Sequence, residues 1–336
     1  MRPSVAILGG TPVRLADLRF PARRVQIART RIAFIHLDNL VHFAKNDRDG
    51  RVDGYIAVYL SDELLLLFLH SGDLTTAVSF TTSGRSVIPL AAALRRMREQ
   101  LARGELLFCE APLEQLAWMY QSGAAPAQPH PTASAERARA LEALTNERYS
   151  GVVELIIDGQ VSYLRLEQGA LRAAYCADAP GDRPPPDLLG RLAARAATAG
   201  TVAVSVFPAT GELPAQPAPA LIDAYREVFW RIVEVGEREV PGEVTRRALA
   251  LRDTLSPIHG SLTVLGAERG KPPVPVVTTP EAMTSGLADW ALQLLEQLEI
   301  IAPGVAPGVL RDATREQRYV LQRAGFYARL PWPIEW

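Results

Sequence analysis

Apolar residues follow two rhythms along this chain, and one ordered series of them occurs twice. Leu37, Leu40, Val41 and Ala44 stand at i, i+3, i+4 and i+7, which predicts one face of a short helix. Turn chemistry follows at Asn46-Asp-Arg-Asp-Gly50. Three runs over 53–60, 63–70 and 73–80 then predict strands. Ser61-Asp62 and Ser71-Gly72 are short enough to close hairpins between them, and a glycine takes positive φ without steric cost. Residues 86–102 predict a helix, 105–109 a strand and 113–120 another short helix. The series then returns. Ala138, Leu141 and Leu144 mark a helix, and strands are predicted at 151–157, 160–167 and 170–177, with Asp158-Gly159 as a hairpin turn. A loop at 180–186, a helix over 187–198 and a strand at 201–207 complete it.

The spacings match as well as the order. Gly54 to Gly72 is 18 positions, and so is Gly151 to Gly169. Gly104 lies 32 positions beyond Gly72, and Gly200 lies 31 beyond Gly169. Such agreement predicts one supersecondary unit used twice.

The final third is helix-rich. Ile222, Tyr225, Phe229, Ile232, Val233 and Val235 form an apolar stripe, and Gly260-Ser-Leu-Thr-Val-Leu predicts a strand that interrupts it. Thr278-Thr-Pro-Glu281 has capping-box spacing with proline near the first helical position, ahead of a face with Leu287, Trp290, Leu294 and Leu298. A helical, arginine-rich stretch over 312–324 leads to the aromatic-proline tail ending at Trp336.

The expected class is α+β: two similar units of antiparallel sheet plus helix, then a mostly helical C-terminal domain. The expected boundaries are an N-terminal segment 1–29, irregular but for a strand near 24–27, a first unit 30–122, a Pro/Ala linker 123–135, a second unit 136–208, a second linker 209–219 and the helical domain 220–336.

The repeated units resemble the PATAN (DUF4388) family. The resemblance rests on Phe68-Leu-His-Ser-Gly72-Asp-Leu-Thr-Thr-Ala77 with closing Gly104-Glu-Leu-Leu-Phe, and on Leu166-Glu-Gln-Gly169-Ala-Leu-Arg-Ala-Ala174 with closing Gly200-Thr-Val-Ala-Val. It covers roughly 30–118 and 136–208, and the second copy lacks a closing phenylalanine until Phe207. The resemblance implies a bacterial signalling adaptor without enzymatic activity, and it carries over no catalytic residue. Partners in keeping with it are a response-regulator receiver, a small GTPase or a motility ATPase, with self-association as a homodimer.

Formal net charge is −1, which supplies neither a basic footprint for nucleic acid nor a polybasic segment for anionic lipid. Lys45 and Lys271 are the only lysines against 34 arginines, a bias that reads as a GC-rich bacterial genome. The run 64–69 is too short to span a bilayer, and Val5-Ala-Ile-Leu is too short for a signal-peptide core, so the expected location is the cytoplasm. Cys109 and Cys176, the only cysteines, read as buried residues of a reduced compartment.

Candidate chemistry is sparse. No G-x-G-x-x-G, Walker A, G-x-S-x-G or H-E-x-x-H motif occurs. His36 and His42 would face about 120° apart on one helix, too far to share a metal. His70, Ser71 and Asp73 are neighbours on one turn, whereas a triad needs residues that converge in space. Asp47, Asp49, Asp53 and Gly50 lack the alternation and terminal glutamate of a calcium loop. Arg23, Arg24, Arg29 and Arg31 have the fork geometry to grip a phosphate but read as a solvated surface. The tryptophan-rich tail reads as folding back on the helical domain, with a binding patch as the alternative.

No catalytic, cofactor-binding or metal-ligating residue is assigned, and no cofactor is expected. The expected function is a non-enzymatic protein-protein interaction adaptor. The alternative is a sensor binding a nucleotide or second messenger between the repeats, where Arg165 and Arg172 would meet its anion.

Overall fold

The computed structural model describes residues 4–45, 51–125, 128–129, 139–178, 187–209, 211–269 and 276–334. Contacts divide the chain into two units, Met1–Pro214 and Ala215–Trp336, with the boundary inside the 209–219 stretch.

The first unit opens with a hairpin of β1 (Val5–Leu8) and β2 (Thr11–Arg14). Then come β3 (Arg24–Arg31), α1 (Leu37–Lys45) and the meander β4 (Gly54–Tyr59), β5 (Leu64–His70), β6 (Asp73–Thr81) and β7 (Gly84–Ile88). α2 (Leu90–Glu99) crosses to β8 (Glu105–Glu110), and α3 (Leu113–Ala124) follows. The sheet is antiparallel with order β3-β8-β4-β5-β6-β7. The series then repeats as β9 (Gln128–Pro129), α4 (Ala140–Asn146), β10 (Gly151–Ile157), β11 (Gln160–Glu167), β12 (Ala170–Cys176), α5 (Leu188–Thr198) and β13 (Val202–Phe207). Its sheet has order β12-β11-β10-β13-β9. The strands β3-β8-β4-β5-β6 thus correspond one for one to β9-β13-β10-β11-β12. The chain is α+β, with two similar sheet-plus-helix parts before a helical one.

The repeat extends to single hydrogen bonds. Ser71 and Gly72 take φ of 51° and 78°, and Gln168 and Gly169 take 49° and 78°. Each first turn residue donates its N–H to a side chain preceding the opening glycine of the repeat: Ser71 to Asp53 Oδ1 at 2.7 Å, Gln168 to Ser150 Oγ at 2.8 Å. The N–H groups of Gly72 and Gly169 reach the carbonyls of Val52 and Tyr149, both at 2.9 Å. A Cβ on Gly72 would stand 2.6 Å from the Ala44 carbonyl oxygen, and one on Gly169 2.3 Å from that of Thr145. In both copies the turn lies against the end of the preceding helix, so glycine is required by conformation and by space.

Both sheets are covered on both faces, which explains runs such as Leu-Leu-Leu-Leu-Phe-Leu in β5. α1 and α2 cover the outer face of the first sheet, over Ile56, Leu65, Leu67 and Phe108. α4 and α5 cover that of the second, over Val153, Leu155 and Leu164. The inner faces share one core, in which Tyr55, Leu66, Phe68 and Phe80 meet Val152, Ile156 and Tyr163. Leu8, Leu18 and Phe20 from the N-terminal segment and Leu116 and Trp118 from α3 are packed into that core. Buried tyrosines hold the N-terminal segment in place: Tyr59 donates to the Leu18 carbonyl at 2.9 Å, and Tyr55 to that of Pro21 at 3.0 Å.

In the second unit, α6 (Pro219–Glu239), α7 (Val244–Leu255), α8 (Ser261–Leu265), α9 (Pro280–Ile301), α10 (Val305–Thr314) and α11 (Arg318–Arg323) enclose a core with Phe229 and Trp290 stacked at 3.9 Å. Phe326 and Leu330 of the tail are buried in it, with Trp332 and Ile334 packed alongside.

Several sequence expectations need correction. The N-terminal segment is not irregular, because β1 and β2 form a hairpin and β3 runs on to Arg31. The stretch 86–102 is not one helix. Pro89 holds Ile88 extended, so β7 ends there, and α2 occupies Leu90–Glu99. Gly260-Ser-Leu-Thr-Val-Leu forms α8 rather than a strand, because its alternating apolar residues pack as one helical turn against α9. The cap of α9 is Thr279, which accepts from Ala282 N–H at 3.1 Å, rather than Thr278. Within 123–135, Gly123 and Ala124 end α3 and Gln128–Pro129 pair with β13, while 126–127 and 130–135 lie outside the described residues. So do all of the loop predicted at 180–186 and all of the turn at 46–50.

Candidate functional site

The most deeply buried charged cluster of the described residues lies between the two sheets. Arg85 on β7 directs Nη1 to both carboxylate oxygens of Glu154 on β10, each at 2.7 Å. Their side chains are 6% and 2% exposed. Tyr163 on β11 donates to Glu154 Oε2 at 3.0 Å, and Ser122 Oγ on α3 lies 3.4 Å from the Tyr163 hydroxyl. The guanidinium stands 5.3 Å from the centre of the Phe207 ring. Burial first, then the Glu154 charge, pushes the Tyr163 phenol well above its ordinary value. Four elements therefore meet at a polar rivet inside an apolar core. Apart from Arg85 Nη2, which has no partner among the described residues, its groups satisfy one another, and a substrate reaching them would have to displace that core.

Further carboxylates are joined to the chain's own cations and hydroxyls. Glu63, 7% exposed, accepts from Ser79 Oγ at 2.5 Å and pairs with Arg96. Glu114 on α3 accepts from the Tyr175 hydroxyl at 2.9 Å and from Arg165 at 3.3 Å. Arg165 and Arg172 both hold Glu167, at 2.9 and 3.0 Å. The two arginines proposed to meet an anion are thus engaged by carboxylates.

The structure separates the other residues singled out by sequence. His70 Nδ1 lies 3.0 Å from Asp53 Oδ1, while Asp73 pairs with Lys45 at 2.6 Å, so His70, Ser71 and Asp73 do not converge. His36 and His42 are both exposed. Asp47, Asp49 and Gly50 lie outside the described residues, and Asp53 caps the 71–72 turn. Arg29 holds Glu105 at 2.6 Å and lies 3.8 Å over the Tyr59 ring. No group of three or more His, Cys, Asp or Glu able to hold a metal occurs among the described residues. Cys109 and Cys176 are buried, and burial pushes the Cys109 thiol up to about 11, which favours the protonated packing form over the nucleophile.

One Ser/His/Asp grouping escaped sequence reasoning because its members lie on separate elements. His259 Nε2 is 2.9 Å from Asp289 Oδ2 on α9, and Ser261 begins α8. The Ser261 hydroxyl is buried without a hydrogen-bond partner among the described residues. It makes no bond to the imidazole, so no base addresses it. A Cβ on Gly286 would lie 2.9 Å from that oxygen, which marks a close helix contact.

Open clefts among the described residues of the first unit include two of similar size. One, of about 390 Å³, is lined by Val5, Pro12, Val13, Arg14, Asp17, Asp158 and Thr201, with Asp158 Oδ1 already bonded to Thr201 N–H at 2.8 Å. The other, of about 360 Å³, lies over β8 between the start of α1 and the end of α2. Its floor is Ile32, Met97 and Leu106, its walls Ile35, Leu37 and Leu101, and its polar groups His36 and Arg98. Leu101 is 43% exposed and nearby Phe34 is 75% exposed. Leu101 falls within the helix predicted over 86–102. α2 ends at Glu99 instead and leaves it at the mouth of the cleft. No helix among the described residues is long and apolar enough to cross a membrane. Comparison with protein-family models, with curated proteins and with solved structures finds no match to this chain.

Proposed function

We propose that this chain is a non-enzymatic regulatory protein of the bacterial cytoplasm that acts by binding another protein. The observation that supports this reading best is the cleft over β8, with an apolar floor, Leu101 exposed in its lining and Arg98 among its polar groups. Apolar centres bordered by arginine are the chemistry of protein-binding patches. The charged groups that would interest an enzymologist, Arg85, Glu154 and Glu63, are instead consumed in joining elements. The PATAN-like layout of the repeats agrees with a role beside a receiver, a small GTPase or a motility ATPase. A sensor holding its ligand between the repeats would have to open the core that Phe68, Trp118 and Tyr163 fill.

The test is affinity capture from the source bacterium with the full chain, beside 1–214 and 215–336, followed by reconstitution from purified components. The reading expects one partner retained in defined stoichiometry by the full chain. Failure to reconstitute any pair, together with a thermal shift on adding nucleotides, would replace it with the sensor reading. A ligand at 100 times its Kd adds about 2.7 kcal/mol.

A further inference from the structure

We infer that the cleft over β8 is a docking groove for an acidic segment of a partner protein that also carries apolar side chains. The inference deepens the adaptor reading and rests on it.

The floor supplies the apolar half of the argument. Ile32, Met97 and Leu106 are 1%, 1% and 0% exposed, so the cleft is a formed depression with a packed base rather than a loose surface. Leu101 stands open in its lining, where a bound apolar side chain would cover it. Gly104 belongs to the same construction, since a Cβ there would lie 2.5 Å from Ile32 Cδ1.

Charge supplies the other half. Arg98 lines the cleft, and Arg103 adjoins Gly104, whose carbonyl accepts the Ile32 N–H at 3.0 Å. Both are exposed, and neither side chain has a hydrogen bond or ion pair among the described residues. Elsewhere in this unit Arg29, Arg85, Arg96, Arg165, Arg172 and Arg195 all hold carboxylates. The carboxylates closest in sequence are already engaged, Glu99 by Arg95 and Glu105 by Arg29. Two exposed arginines with free guanidinium groups beside an apolar floor are complementary to acidic residues flanking two or three apolar ones.

The test uses the full chain and a phage-displayed library of random 12-residue peptides. Selected peptides should combine Asp and Glu with Leu, Ile or Phe. Arg98→Glu and Leu101→Glu should each weaken their binding about tenfold or more, and Arg172→Glu, away from the cleft, should leave it unchanged. Arg98 and Leu101 are solvent-facing, and an unchanged thermal midpoint in both variants checks that folding is intact. Selection of peptides without acidic enrichment overturns the inference, as does selection of none. Peptides indifferent to both substitutions also overturn it but leave the adaptor reading standing. Binding of phosphatidylserine vesicles that Arg98→Glu abolishes would assign the surface to a membrane and overturn both.

Discussion

The Arg85–Glu154 pair makes the sharpest energetic prediction. At 2.7 Å and an effective dielectric of 20, the attraction is about 6 kcal/mol. Several kcal/mol of desolvation per ion offset it, so the net contribution of the intact pair is small. Removing one partner is different. Glu154→Gln keeps the volume but leaves the buried guanidinium, whose Nη2 already lacks a partner among the described residues, without its counter-charge. The expected cost is about 3–5 kcal/mol. A domain stabilised by about 5–15 kcal/mol would be left marginal. Arg85→Met should cost a similar amount. Joining Arg85→Met to Glu154→Leu, with Tyr163→Phe so that no phenol is left unpaired, removes the ion pair and the phenol together, while Ser122 Oγ keeps its bond to the Met119 carbonyl at 2.9 Å. That combination should return to within about 2 kcal/mol of the parent or exceed it. Hydrogen exchange at the β10 and β11 amides of the full chain reads the stability of this unit without interference from the other. Single variants costing less than about 1 kcal/mol, with the combination equal to their sum, would show that the guanidinium is solvated and the rivet absent.

Two further outcomes follow from local geometry. Gly72→Ala and Gly169→Ala each place a side chain at φ of 78° and within 2.6 or 2.3 Å of a carbonyl oxygen, and each should cost about 2 kcal/mol or more. Gly190→Ala, on α5 with nothing within 4 Å, should stabilise by about 0.5–1 kcal/mol; equal effects at all three positions in urea unfolding would discredit the turn argument. In the second unit, the Thr245 and Gly242 N–H groups hold the Glu237 carboxyl below its ordinary value. A carboxyl depressed on folding contributes stability above its unfolded value, and that contribution is lost as pH falls through the folded one. The thermal midpoint followed by tryptophan fluorescence should therefore drop below about pH 4.5, and less steeply in Glu237→Gln; parallel acid limbs would contradict the assignment.

The repeat was legible in the chain because its requirements are local. A strand covered on both faces must be apolar at almost every position, and a two-residue turn with positive φ needs glycine, so Gly54, Gly72, Gly151 and Gly169 mark corresponding points. The helical stripe around Phe229 was legible for the same reason. Where local rules competed, reading by periodicity failed: Pro89 divided one predicted helix into β7 and α2, and five residues after Gly260 were too few to separate strand from helix. The face-to-face sharing of one core was decided only by tertiary structure. Glu154 in Gly-Val-Val-Glu-Leu-Ile-Ile carries no local sign of burial. It is buried because Arg85, 69 residues away on the other sheet, meets it there. The cleft over β8 has the same origin, since its lining comes from the turn after β3, from α1, from α2 and the residues after it, and from β8, segments that only the folded chain brings side by side.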